Sequence, residues 1–205
     1  MVSTPQLVIE TAISLFNARG IANVTVREIA AVLSISPGNL TYHFANKDKL
    51  VEAVIRSLIA EMEGATEGAL HEAVSFAAYA RLLQQVWEIQ RRYRFFYLDA
   101  VEILRSYPKA RGLYRGAVLR RLNQSRALFL QMCGQGLLAP LSARERDVLV
   151  KRSWLIVASW SYRLFVLDEK PSRATFVNEV LDVVASHATL AGVTERRALA
   201  RERAK

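Results

Sequence analysis

The amino-acid sequence predicts an all-α protein: an N-terminal three-helix unit containing a helix-turn-helix, joined by a bridging helix to a larger helical domain. Three observations carry this. Apolar residues recur at helical spacing through almost all of the 205 residues. Helix-start signatures recur too, at Thr25 with Glu28, at Ser36 with Pro37, and at Ser142 with Glu145. The chain holds only 5 Pro and 9 Gly, too few for many long loops, and no strand pattern, internal repeat or low-complexity segment stands out.

The first helix is predicted from about Pro5 to Arg19, with Leu7, Val8, Ala12, Leu15 and Phe16 along one side and Gly20 as its stop. Thr25 caps the second, Glu28 closes a capping box, and Val26, Ile29, Ala30 and Leu33 keep helical spacing. Residues 33–36 fit only a turn. Ser36 then caps a third helix whose first residue is Pro37, where a missing N–H costs nothing. This third helix is about two turns long. It buries Leu40 and Phe44 and leaves Asn39, Thr41, Tyr42 and His43 outside. A helix so short does not stand alone, and its small apolar share suits a helix that exists to present a polar face. A helix-turn-helix whose second helix enters the DNA major groove is built this way.

Asn46 caps the bridging helix, which carries Leu50, Val54, Leu58 and Met62 towards Gly64 or Gly68. Further helices are predicted at about Glu72–Arg92, Arg94–Ser106, Pro108–Leu138 and Ser142–Asp168, with a last one from Ser172 through Phe176, Val180, Leu181 and Val184 to His187. The charged segment from 192 to 205 reads as a mobile tail. The domain boundaries expected are therefore 1–46, 47–191 and 192–205.

Composition excludes several classes. No run of about 18 apolar residues is present, so no transmembrane helix is expected. The start, Met1-Val2-Ser3-Thr4-Pro5, lacks the charged and apolar regions of a signal peptide. Cys133 is the single cysteine, which suits a plain buried residue in a reducing, cytoplasmic setting. His43, His71 and His187 have no second ligand at metal spacing, so neither a metal nor a cofactor is expected. An enzyme would need a phosphate loop or a nucleophile elbow, and neither is found. The one alternative of that class uses Asp99 and Glu102 as paired carboxylates.

The formal charge of +9 is unevenly spread. Residues 1–50 hold four basic and three acidic side chains, residues 51–90 two against six, and residues 91–126 ten against Asp99 and Glu102. The DNA reading therefore rests on the motif and not on the pI. For the basic segment three readings are open: a solvated face, which is the default, attraction of distant phosphates, or anchoring of the acids in 51–90.

Gly20, the Thr-Val-Arg-Glu-Ile-Ala start at Thr25, the Leu-Ser-Ile-Ser turn, and Leu40-Thr-Tyr-His-Phe44 followed by Asn46-Lys47 together resemble the TetR family of bacterial regulators. The resemblance covers about residues 5–55. It implies that Pro37, Gly38, Asn39, Thr41 and Tyr42 face the major groove, and that Thr25, Ser36, Tyr42, His43 and Lys47 hold phosphates. Arg27 is implied at either a base or a phosphate. Residue chemistry agrees in part: Asn39 can pair bidentately with adenine, and the Thr41 methyl can meet that of thymine. The third helix carries no Arg or Lys, so an Arg-to-guanine contact must come from Arg27 or be absent.

The resemblance further implies a ligand-binding and dimerisation domain and a repressor released from a palindromic operator by an unknown small-molecule effector. Trp87, Phe96, Tyr97, Asp99, Ala100, Tyr114, Phe129, Met132, Cys133 and Trp154 are the effector candidates, with Arg94 and Glu102 as further polar anchors. A homodimer is implied through the last two predicted helices, with Leu155, Val157, Trp160, Phe165, Phe176, Val180 and Val184 at its interface. Aromatic residues at helical spacing are more often core than pocket, and control by a protein partner without an effector stays open.

Overall fold

Most of the helices start where a side chain meets their first free N–H groups. A computed structural model describes residues 4–70 and 73–203, and every regular element in it is a helix. These are α1 (Thr4–Arg19), α2 (Val26–Val32), α3 (Pro37–His43), α4 (Lys47–Leu70), α5 (Phe76–Arg92), α6 (Arg94–Ser106), α7 (Pro108–Gly134), α8 (Ala143–Val166), α9 (Arg173–Ala185) and α10 (Leu190–Arg203). Both halves of the Thr25–Glu28 and Ser142–Glu145 capping boxes form. Ser36 and Ser172 accept from the N–H groups of Asn39 and Thr175, and Asn46 accepts from Lys49. Ser75, unrecognised as a cap in the sequence, accepts from Ala78 and starts α5 at Phe76. The earlier start expected at Glu72, and His71 beside it, lie outside the described residues.

Two compact units arise, and each is discontinuous in sequence. The first comprises residues 1–61 and 90–116, the second 62–89 and 117–205. This partition differs from the expected division at 46, because residues 47–61 of α4 bury Leu50, Val51, Val54, Ile55 and Leu58 in the first unit.

In the first unit, Val8, Ala12, Ile13 and Phe16 of α1 are buried, whereas Leu7 faces outward. Phe95 of α6 meets the Phe16 ring edge-on, with centroids 5.3 Å apart. Asn17 ties α1 to the start of α6: its amide donates to the Arg92 carbonyl at 2.7 Å and its carbonyl accepts from Phe95 N–H at 2.9 Å. The fully buried Tyr93 donates its hydroxyl to Glu61 at 2.6 Å. Burial, then the Glu61 carboxylate, raise that phenol to about 12.

In the second unit, Trp87, Trp160 and Phe176 pack on one another with centroids 5.1–6.3 Å apart. Tyr79 stands edge-on to Phe129 at 5.8 Å. The segment expected as a mobile tail is instead the body of α10. Thr189 donates its N–H to the Leu137 carbonyl at 3.1 Å, and Leu138 bridges Ala188 in the only extended pairing among the described residues. Glu195 accepts from the Phe76 N–H at 2.8 Å at the start of α5, and Arg196 donates to Asp182 at 2.8 Å. Glu195 and Arg196, two of the charges that suggested solvation, are thus used inside the fold.

Candidate nucleic-acid interface

Residues 20–49 form a capped frame around α3. Gly20 ends α1 at φ +76°, a left-handed value that favours glycine. Ser34 reaches φ +55° in the turn, held there by its N–H donating to the Ala31 carbonyl and by Ile35 N–H donating to Ala30. Leu40 and Phe44 point into the first unit and are buried, as their spacing predicts. Pro37, Gly38, Asn39, Thr41 and Tyr42 are exposed, and Tyr42 is the extreme case at 86%. Its ring touches only the edge of His43, at 5.1 Å, among the ring contacts described. Arg27 on α2 is exposed as well.

Several polar groups here are already engaged. Both hydrogens of Thr25 donate to Glu28, from the backbone at 2.7 Å and from the hydroxyl at 2.8 Å. Thr25, expected at a phosphate, therefore builds the start of α2 in this structure and has no donor left over. Ser36 accepts from Asn39 at 3.1 Å and keeps its hydroxyl proton. The Lys47 ammonium donates to the Ile21 carbonyl at 2.6 Å, fastening α4 to the α1–α2 link. Partial burial lowers its pKa, and Glu28 opposes the shift. Two ammonium hydrogens remain for another acceptor. This link was invisible in the sequence, since nothing local pairs residue 47 with residue 21.

The Glu28 carboxyl is held below the usual range, first by the Thr25 N–H, then by the Thr25 hydroxyl. Its folded-state pKa is depressed, so its stabilisation is present at neutral pH and is lost as pH falls through and below the ordinary carboxylate range. The Thr25 amide is therefore expected to lose hydrogen-exchange protection on acidification, in step with that carboxylate. Protection that does not change between pH 6 and pH 3 contradicts this.

The effector candidates divide between the two units. Phe96, Tyr97, Asp99, Ala100 and Tyr114 belong to the first unit, where Phe96 packs on Tyr114 at 4.7 Å and on Tyr97 at 5.5 Å. Asp99 is exposed at a kink in α6, with φ −114° and ψ 21°. Trp87, Phe129, Met132, Cys133 and Trp154 belong to the second unit. The half-buried Cys133 thiol donates to the Ala139 carbonyl at 3.3 Å.

The expected interface set also divides. Trp160, Phe176, Val180 and Val184 are buried within this chain's own second unit, a correction to their assignment at the surface. The reason is that α8 is apolar around much of its circumference, and one side of it packs on α9. Leu155 and Phe165 are exposed, Val157 half-buried, and Tyr162 and Val166 join the exposed stripe.

Among the described residues, no helix is long and apolar enough to cross a membrane, and no group of three or more His, Cys, Asp or Glu is placed to hold a metal ion.

Comparison with known proteins bears on the whole chain. Residues 8–54 match the model for bacterial regulatory proteins of the tetR family, and residues 57–191 match the model TetR, bacterial transcriptional repressor. A probable HTH-type transcriptional regulator, YttP of Bacillus subtilis (strain 168), is 31% identical over 88 residues. That match spans 43% of this chain and 42% of the relative, less than half of either. A crystal structure of a TetR-family transcriptional regulator from Marinobacter aquaeolei VT8 superposes with a TM-score of 0.89, 25% identity and 98% coverage of both chains. AibR, solved in complex with isovaleryl coenzyme A and operator DNA, shares the fold at a TM-score of 0.70 and 18% identity. That alignment covers 89% of this chain and 98% of AibR.

Proposed function

The chain belongs to the TetR family of DNA-binding transcription regulators, and from that membership we propose that it is a homodimeric repressor released from a palindromic operator by a small-molecule effector. The observation that carries the proposal is the two-turn α3, whose Leu40, with Phe44 at its end, is turned inward while Asn39, Thr41 and Tyr42 stand exposed on a capped frame. Residues 1–46 form the DNA-reading part and 47–191 the effector and dimer part. Asn39, Thr41 and Tyr42, with the close backbone of Pro37 and Gly38, meet base edges. Ser36, His43 and Lys47 hold phosphates, and Arg27 reaches a base or a phosphate.

Dimerisation covers the exposed stripe Leu155, Tyr162, Phe165 and Val166 of α8, which recurs on one helix face. A two-fold dimer presents two recognition helices to two half-sites. Effector binding changes their spacing through α4, which runs unbroken from Lys47 to Leu70, and a spacing that fits only one half-site at a time lowers affinity. That small ligands act on this fold is supported by AibR, whose complex holds isovaleryl coenzyme A. Control by a protein partner alone is favoured by one observation, the mutual packing of Trp87, Trp160 and Phe176 in the second unit.

Footprinting of the purified protein on DNA upstream of its own gene tests the proposal. A symmetric footprint bound by two chains per duplex is expected. An asymmetric footprint, or none, sinks the dimeric repressor. A screen for small molecules that raise the melting temperature and release the duplex separates effector from partner control.

A further inference from the structure

The first unit is electrically lopsided. Its residues 1–61 carry five basic and five acidic side chains, while 90–116 carry seven basic against Asp99 and Glu102. Arg105, Lys109, Arg111 and Arg115 crowd the junction of α6 and α7, and all four are exposed. Arg105 makes a loose pair with Glu102 at 3.7 Å, with both side chains largely in solvent, so the pair is weak. Lys109, Arg111 and Arg115 have no acidic partner among the described residues. Other cations of the basic segment are neutralised: Arg92 by Glu10 and Glu61, Arg120 by Glu63, and Arg126 by Asp147.

This placement opposes stability. Lys109 and Arg111 sit at the start of a 27-residue helix with no acid in its first turn, where the helix dipole disfavours cations. Arg111 and Arg115 are four residues apart on one helix face, where like charges repel. An anion from outside the chain would compensate this arrangement. The three cations span seven residues and have no buried polar cradle between them, which suits an extended polyanion better than a single phosphate. Duplex DNA is such a polyanion, and sequence-independent attraction to it is essentially a matter of phosphates neutralised. Residues 1–61 bring no net charge and α3 no Arg or Lys, so the surplus positive charge of the unit lies in 90–116.

The corner belongs to the same unit as α3. Phe16–Phe95, Phe96–Tyr114 and the Asn17 bridge link α1, α6 and α7. Tyr107, at the corner itself, is raised by burial and then by Asp48 in the first turn of α4, beside Lys47.

We infer that the α6–α7 corner is a second DNA-backbone contact, with Lys109, Arg111 and Arg115 meeting phosphates outside the base pairs that α3 reads. It rests on the regulator reading above. The test measures binding of the full chain to a 40-base-pair duplex of arbitrary sequence by fluorescence anisotropy, over a series of salt concentrations. The variant is the triple Lys109→Gln, Arg111→Gln, Arg115→Gln. The control, with the same loss of charge, is Arg144→Gln, Lys170→Gln, Arg197→Gln, all exposed residues of the second unit. Each phosphate that is no longer neutralised takes about 0.9 from the slope of log affinity against log salt. The corner variant is expected to reduce the slope by at least about 2, and the control to leave it unchanged. Equal slopes for wild type and corner variant overturn the inference while leaving the regulator reading intact. A slope that drops equally in both variants also overturns it, because net charge alone is then at work. A wild-type chain that binds no duplex overturns the regulator reading and this inference together.

Discussion

Tyr42→Ala is expected to remove operator binding while leaving helix content, melting temperature and oligomeric state unchanged. The residue is 86% exposed, and its ring meets the edge of His43. Surface substitutions of this kind usually change stability by less than about 0.5 kcal/mol. Leu40 and Phe44 keep α3 seated without it. On DNA the arithmetic differs. A good contact at a base edge contributes about 1–3 kcal/mol of discrimination, and a two-fold dimer forfeits it at both half-sites. The expected loss is about 2–6 kcal/mol, or roughly 30-fold to more than 10⁴-fold in affinity. Anisotropy titrations on the footprinted duplex measure the affinity, and circular dichroism melts measure the fold. Unchanged affinity removes Tyr42 from the interface, and a lowered melting temperature makes it a core residue.

Gly192→Ala and Gly112→Ala are expected to change stability in opposite directions. Both glycines lie inside helices, where alanine is intrinsically better by roughly 0.5–1 kcal/mol. A Cβ at Gly112 would have nothing within 4 Å, so Gly112→Ala should show that gain. A Cβ at Gly192 would lie 2.1 Å from the Leu137 carbonyl oxygen, which is backbone and cannot swing away. Overpacking costs typically about 1–3 kcal/mol, and relief here requires α10 to leave the Gly136–Leu138 turn. That movement also strains the bond from Thr189 N–H to Leu137 and the docking of Glu195 on the start of α5. Gly192→Ala is therefore expected to lower the melting temperature despite its better helix propensity. A higher melting temperature would show that α10 is not held against that turn.

Caps and helical spacing make most of the architecture legible in the sequence. The Thr25–Glu28 and Ser142–Glu145 boxes, and the caps at Ser36, Asn46 and Ser172, form as local chemistry dictates, since each involves partners three residues apart. What stays hidden depends on partners far along the chain. Glu195 meets Phe76 across 119 residues, so α10 has the sequence character of a solvated tail. Lys47 meets Ile21 across 26, so its structural duty cannot be read beside its charge. The apolar girth of α8 is plain, but not which side meets α9. Spacing alone therefore groups Trp160 with Phe165, although one is buried and the other exposed. The polar face of α3 is readable because Leu40 and Phe44 already account for its buried side.

The discontinuity of the first unit sets an order on the birth of the protein. Phe16 and Asn17 leave the ribosome early, but Phe95 and Arg92, which cover and hold them, come more than seventy residues later. At about 5–20 residues per second, the segment that reads DNA waits several seconds for the part of the chain that completes its core. A nascent chain stalled near residue 61 would expose Phe16 to chaperones and proteases. A fusion carrying only residues 1–61 would inherit the recognition helix without the segment that keeps it folded, so a transplant of DNA specificity to another protein has to carry residues 90–116 with it.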